Sequence, residues 1–511
     1  MTAESLTDSQ PRALSRHSEN KWVLLALLAV AQFMVVLDVA IVNVALPSIA
    51  RDLKFQESNL QWVVTAYTLT FGGFLLLGGR AADLFGRRKI FLTAVTAFFI
   101  ASLLCGLARG ETWLITTRAV QGLAAAFMSP AALSIVLSEF REGDERNKAL
   151  GVWAAVASGG AAAGVLLGGI FTQYLGWRWN FFINVPVGIL VVLIGRRLLP
   201  YNIGEERAAF KLDLPGAVLA TTGLMSLVYG LSKAPNDGWH SSVVWGFIGA
   251  GLVLLIGFVL NERRASQPLM PLSIFKIRNV AGGNLAFLAI ACTLFSMFFF
   301  ITLYLQTVLG YSPIKSGLAF LPITFIIAII AGMVSNVVGI AGYKPFLVAG
   351  PLVLSMGLFT LSQIMQVGGN YLHNVLPGLA LCALGMGLTF VSGTLAATSG
   401  VPRHFSGLAS GILNTSQQVG GAIGLAILSA VAFTTIRTDA TGGVAPLDAQ
   451  VNGYHDALRV GAGLAFSAAL VALLVVKNQK VNPAEAAPDA EIVPPPNQVE
   501  LPQLSEFGQK E

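Results

Sequence analysis

Apolar runs of about 20 residues, the length at which a helix crosses a bilayer, recur along nearly the whole of this chain. A helix closes its backbone hydrogen bonds within its own segment, so such runs are stable in hydrocarbon. Candidate spans lie near 23–45, 60–78, 90–108, 112–138, 149–172, 180–199, 214–232, 242–261, 280–308, 316–340, 346–367, 375–398, 407–434 and 459–476. The fold class they imply is an all-α membrane protein with about fourteen transmembrane helices. Of the 511 residues, 55% are hydrophobic and 11% are charged, against about 25% charged in soluble domains. A soluble fold is excluded.

The first run, Trp22 to Leu46, follows Arg12, Arg16 and Lys21, as a secretory signal would. It is longer than a signal core of about 7–15 residues and has no A-x-A-like cleavage site at Leu46-Pro47, so it reads as a retained span. An even number of spans places both termini on one side. With the N-terminus inside, 23 Lys and Arg fall on inner segments, 8 on outer loops, and Arg118 lies within a span. Cytoplasmic termini in the cell (plasma) membrane follow from that bias. Residues 1–21 then form a polar tail, and 478–511, with Pro494-Pro495-Pro496, a disordered one. The longest outer connection is expected at 435–458, around Thr441-Gly442-Gly443.

The net charge of +6 forms no basic patch with interleaved aromatics, so no nucleic-acid partner is expected. Cys105, Cys292 and Cys382 all sit in apolar runs and read as packing residues. No phosphate loop, H-E-x-x-H helix or G-x-S-x-G elbow occurs. The chain is therefore read as no enzyme, with no metal and no cofactor, and any work it does draws on a gradient across the membrane.

Two charges stand apart from all the others. Asp38 is the only acid well inside a span and Arg118 the only base so placed, and at 1.5 Å per residue both lie roughly 10 Å deep. A charge in hydrocarbon costs at least about 2.5–3.5 kcal/mol on insertion scales, so such residues face an interior and mark ion or substrate pathways, or else pair structurally. Burial favours a neutral acid while a nearby guanidinium favours the carboxylate, and a group held between those effects can exchange protons. In the fourth span Arg118, Gln121, Gly122 and Ala125 share one helical face. The fifth span carries Gly160, Gly164, Gly168 and Gly169, small residues that permit close helix packing.

After the second span stands Gly79-Arg80-Ala81-Ala82-Asp83-Leu84-Phe85-Gly86-Arg87-Arg88, and after the tenth Ser335-Asn336-Val337-Val338-Gly339-Ile340-Ala341-Gly342-Tyr343-Lys344. The final glycine and a base match in register, a faint sign of related halves. Asp83 and Arg87 are spaced to pair at i, i+4 if helical.

Taken together these motifs resemble the fourteen-helix drug:proton antiporters of the major facilitator superfamily, over about residues 22–435. Leu37-Asp38-Val39-Ala40-Ile41-Val42-Asn43-Val44-Ala45-Leu46-Pro47 is similar to the family's first-helix signature. Gly79, Asp83, Gly86, Arg87 and Arg88 resemble the superfamily's gating loop. Leu114, Arg118, Gln121 and Gly122 resemble its L-x-x-x-R-x-x-Q-G motif, with Ala124 where a second glycine is usual. Gly164 to Gly169 resembles the antiporter motif G-P-x-x-G-G, with Val165 in the proline position. Trp177-Arg178-Trp179-Asn180-Phe181-Phe182-Ile183-Asn184-Val185-Pro186-Val187-Gly188 resembles the segment that opens the sixth helix.

The resemblance implies an N-terminal six-helix bundle at 22–200, two inserted helices with flanking loops at 201–279, and a C-terminal six-helix bundle at 280–477. It also implies proton coupling through Asp38 and Arg118, with protons, a small-molecule substrate and the bilayer as partners. The expected function is proton-coupled antiport that exports small amphipathic organic compounds, drugs or antibiotics. A carrier of the same fold for an endogenous lipid, siderophore or metabolite fits the sequence as well. Candidates for the substrate cavity are Gln121, Asn284, Phe295, Phe299, Tyr304, Gln306, Asn414, Gln417 and Gln418. For each, packing or tying helices together is the competing role.

Overall fold

A computed structural model describes residues 10–140, 144–199, 213–265, 268–401 and 406–479. Their main helices are α1 Gln10–Leu53, α2 Trp62–Phe85, α3 Arg87–Gly106, α4 Glu111–Glu139, α5 Asp144–Tyr174, α6 Trp179–Phe182, α7 Asn184–Leu198, α8 Leu214–Asp237 and α9 Ser242–Arg264. The second half adds α10 Arg278–Leu303, α11 Pro313–Ala341, α12 Lys344–Ile364, α13 Tyr371–Asn374, α14 Leu376–Thr398, α15 Ser406–Thr441 and α16 Pro446–Val475. Among these, 13 helices are long and apolar enough to cross a membrane, and α5 adds the shorter apolar stretch Ala162–Tyr174. About fourteen spans result. The sixth is α6 and α7 in succession, and the ninth is α10 prolonged by one wide turn, Tyr304–Val308.

Local chemistry sets several helix starts. Asp213, Ser241 and Ser312 cap α8, α9 and α11 with side-chain oxygens that accept from Gly216 N, Val243 N and Lys315 N. Proline in the first turn of α8, α11, α12, α14 and α16 costs no hydrogen bond there.

Two segments that the sequence left without a defined structure are helical in whole or in part. The outer segment 435–458 is almost entirely helical, because α15 runs to Thr441 and α16 starts at Pro446. Polar residues continue a helix wherever its backbone ladder is intact, and here Thr435 donates to Asp456 and Asn452 to Asp439, tying the two extensions together. At the other end of the chain, α1 already begins at Gln10, inside the stretch expected to be a tail. The disorder expected of 478–511 lies outside the described residues from 480 onward.

In the first half α1 packs on α5 and α2 on α4; in the second, α10 packs on α15 and α12 on α14 and α16. The inserted pair α8 and α9 pack on each other, and α8 also lies along both α2 and α15. Trp62 Nε1 donates to Ser232 Oγ at 3.2 Å, and Arg437 Nη1 to the Pro235 and Asn236 carbonyls at 2.9 and 2.6 Å. Polar contacts between the two bundles lie at the end opposite Gly79–Arg88. There Gln306 Nε2 donates to Val44 O at 2.8 Å and Ile314 N to Gln173 Oε1 at 3.3 Å.

Candidate functional site

The geometry is built around Asp38, which α1 carries into the first bundle with 0% exposure. From α4, Arg118 Nη1 donates to Asp38 Oδ2 at 2.5 Å, and its side chain is 1% exposed. Gln121 lies one turn further along α4. It accepts from the same Nη1 at 2.7 Å and donates through Nε2 to Asp38 Oδ1 at 2.8 Å. Asn184, the first residue of α7, donates to that same Oδ1 at 3.1 Å and to Ser102 Oγ at 3.0 Å. Ser102 in turn donates to Phe181 O at 2.9 Å.

The cation is held independently of the carboxylate. Arg118 Nε donates to Val63 O at 2.9 Å, and the Tyr67 ring lies 4.3 Å from the guanidinium carbon, within cation–π range. The Tyr67 hydroxyl is buried and has no hydrogen-bond partner. Asp38 thus accepts three side-chain bonds at a fully buried position. These contacts join α1, α2, α3, α4 and α7 around the one carboxylate.

Sequence reasoning found Asp38, Arg118 and Gln121 but assigned no role to Asn184, Ser102 or Tyr67. Uncharged polar residues in a span are too common to stand out, although Asn184 lies within the motif that opens the sixth span. Gln121, weighed as a substrate contact, is 0% exposed and belongs to this network.

The glycines of α5 meet α1 at the turn that carries Asp38. A Cβ on Gly164 would lie 2.6 Å from Ala40 Cβ and 3.0 Å from Leu37 O, and one on Gly168 would lie 2.8 Å from Ile41 O. Gly160 faces Val36, whereas Gly169 faces Ile314 of α11 across the two bundles. With Val165 in the proline position, α5 runs without interruption from Asp144 to Tyr174.

The segment expected as a gating loop is mostly helical. Gly86, at φ 92°, is the single residue between α2 and α3, a conformation open to glycine. Asp83 and Arg87 pair across it at 3.3 Å, with side chains 62% and 32% exposed; exposed pairs of this kind contribute about 0.2–1 kcal/mol. Arg87 also donates to Ser134 O, and Arg88 to Arg196 O at 2.5 Å, so these bonds stay within the first bundle. A Cβ on Gly79 would be in ordinary contact, at 3.6 Å, with Pro130.

The remaining cavity candidates are scattered. Phe299 and Tyr304 are 0% exposed: Phe299 stands edge-on to Phe300 and Tyr304 donates to Gln366 O, so both sit in the packed core of the second bundle. Gln306 joins the bundles at Val44, as described. Asn284 is buried and accepts from Ser416 Oγ at 3.2 Å. Phe295 packs over Gly421, and Gln418 over Gly72. Gln417 is partly exposed, and Asn414 is exposed and bonded only to its own turn at Ser410 O. Among the described residues no group of three or more His, Cys, Asp or Glu is placed to hold a metal ion.

Residues 28–425 match the Major Facilitator Superfamily. The chain belongs to that superfamily. A puromycin resistance protein of Streptomyces alboniger is 39% identical over 482 residues, which are 93% of this chain and 94% of that protein. A cephamycin export protein of Amycolatopsis lactamdurans is 40% identical over 409 residues, 80% and 84% of the two chains. The crystal structure of the POT family transporter PepTSo aligns with a TM-score of 0.65 over 89% of this chain and 97% of its own, at 18% identity, a likeness of fold alone. As a member of this superfamily the chain is a multi-pass membrane transporter of small molecules, assembled from two six-helix bundles with α8 and α9 inserted between them.

Proposed function

We propose that this chain is a proton-coupled antiporter that exports small amphipathic organic compounds, antibiotics among them, across the plasma membrane, with both termini in the cytoplasm. The observation that carries the reading is the Asp38, Arg118, Gln121 and Asn184 network, a buried carboxylate with a single cation partner. Relatives at 39% and 40% identity that are named for antibiotic resistance and export support the substrate class. Contact between the bundles at the Val44 and Gln306 end fits the stage at which the outer side is shut and the inner side receives substrate. A proton entering from outside then neutralises Asp38 and frees Arg118 to keep only Gln121, Val63 O and the Tyr67 face.

Purified protein in acid-loaded vesicles tests this directly. Added puromycin, lincomycin or a cephamycin is expected to drive proton release from the lumen, in step with drug accumulation. Drug movement that ignores the gradient would sink the coupling, and proton release elicited only by endogenous lipids or metabolites would transfer the protein to the carrier reading. Topology has its own check. A cysteine introduced at Arg88 is expected to resist impermeant reagents in intact cells and to react once the membrane is opened; labelling from outside would reverse the orientation.

A further inference from the structure

A pair of carboxyls is buried away from Asp38. Asp213 and Glu262 are 8% and 4% exposed and stand at the beginning of α8 and the end of α9. Both belong to the end of the molecule that carries Gly79–Arg88. Asp213 Oδ1 caps α8 by accepting from Gly216 N at 2.9 Å, and Asn261 Nδ2 donates to both Asp213 oxygens at 2.9 and 2.8 Å. Glu262 Oε2 accepts from Met270 N at 2.9 Å, while Oε1 is buried without a hydrogen-bond partner among the described residues. That orphan oxygen points at its neighbour. A Cβ on Gly216 would lie 2.6 Å from Asp213 Oδ2 and 2.9 Å from Glu262 Oε1, so the two oxygens converge over the glycine.

Among the described residues, positive charge near the pair is sparse. From α2, Arg80 Nη2 donates to Pro268 O at 2.7 Å, and Arg263 and Arg264 of α9 are exposed. Among the described residues neither carboxyl forms an ion pair. Beneath them Leu77, Ala217 and Leu269 pack with Phe74 and Phe127. Two carboxylates so close in an apolar setting do not both ionise, and one proton held between them removes both the repulsion and the orphan acceptor.

We propose that Asp213 and Glu262 form a second proton-binding site, an acid and carboxylate pair in which Glu262 Oε1–H donates to Asp213 Oδ2. The proton comes from the aqueous phase at that end and returns to it. While bound, it holds the end of α9 against the start of α8, and the strand of chain through Pro268 to Met270 on α2. Its loss leaves two facing negative charges and loosens the inserted hairpin from the first bundle. The site is independent of export and of Asp38.

Infrared difference spectra of the full-length protein in lipid nanodiscs, taken across pH, read this proton directly. In the native protein minus Glu262→Gln, a protonated carboxyl band is expected at neutral pH and is expected to vanish as pH rises. Asp213→Asn keeps the cap, since Asn caps as well as Asp, and removes the like charge. The band is then expected to titrate at least about one pH unit lower, a tenfold or greater fall in proton affinity. No band in the difference spectrum, an unshifted midpoint in Asp213→Asn, or a band that appears only when Na⁺ and K⁺ are withdrawn would each overturn the proposal, the last by assigning the pair to a metal cation.

Discussion

Asp38→Asn is expected to reduce proton-driven export to the background of vesicles without protein, while substrate binding remains measurable. The side chain keeps its size and one acceptor oxygen for Gln121 or Asn184 but carries no titrating charge, so the cycle loses the step in which a proton replaces Arg118. A second consequence separates coupling from architecture. The variant leaves Arg118 at 1% exposure without its counter-charge, and breaking a buried pair in this way costs about 3–5 kcal/mol. Abundance, binding and proton-driven transport therefore have to be measured for Asp38→Asn, Arg118→Gln and the double variant. If the pair only holds helices together, the double variant removes both charges and is expected to recover export. If Asp38 is the proton carrier, the double variant regains abundance and stays uncoupled. Full export by well-expressed Asp38→Asn would end the mechanism.

That pair was legible in the sequence for a physical reason: charges are so costly in hydrocarbon that a lone acid and a lone base at equal depth all but specify each other. The rest of the site was harder to read. Asn184 and Ser102 cost little in a span, and the Tyr67 ring on Arg118 follows from how α2 and α4 cross, which no single-helix pattern encodes. Apolar runs likewise gave the number of helices but not which face each turns inward. Phe299 and Tyr304 stood between a cavity wall and packing by composition, and α10 within the second bundle puts them in its core. The form of the outer hairpin from Thr435 to Asp456 was not legible either, because polar residues mark the end of the bilayer and not the end of a helix.

Gly164 tests whether the antiporter-type motif acts through close packing on the turn that holds Asp38. A methyl group there meets Ala40 Cβ at 2.6 Å and Leu37 O at 3.0 Å, and overpacking of this kind costs about 1–3 kcal/mol, which is roughly 5-fold to 150-fold in an equilibrium between two conformations. Gly164→Ala is expected to lower export within that range and Gly164→Leu to abolish it. Gly159→Ala on the same helix, where a Cβ meets nothing within 4 Å, is expected to transport normally. Because the nearest obstacle is the Ala40 methyl, Ala40→Gly is expected to restore most of the export lost in Gly164→Ala. Rescue by that distant-in-sequence partner would tie the motif to the seating of α1, and with it to the position of Asp38 in the same turn. Loss of export that Ala40→Gly leaves untouched, with the protein present at native abundance, would show that Gly164 does not work by letting α5 approach α1.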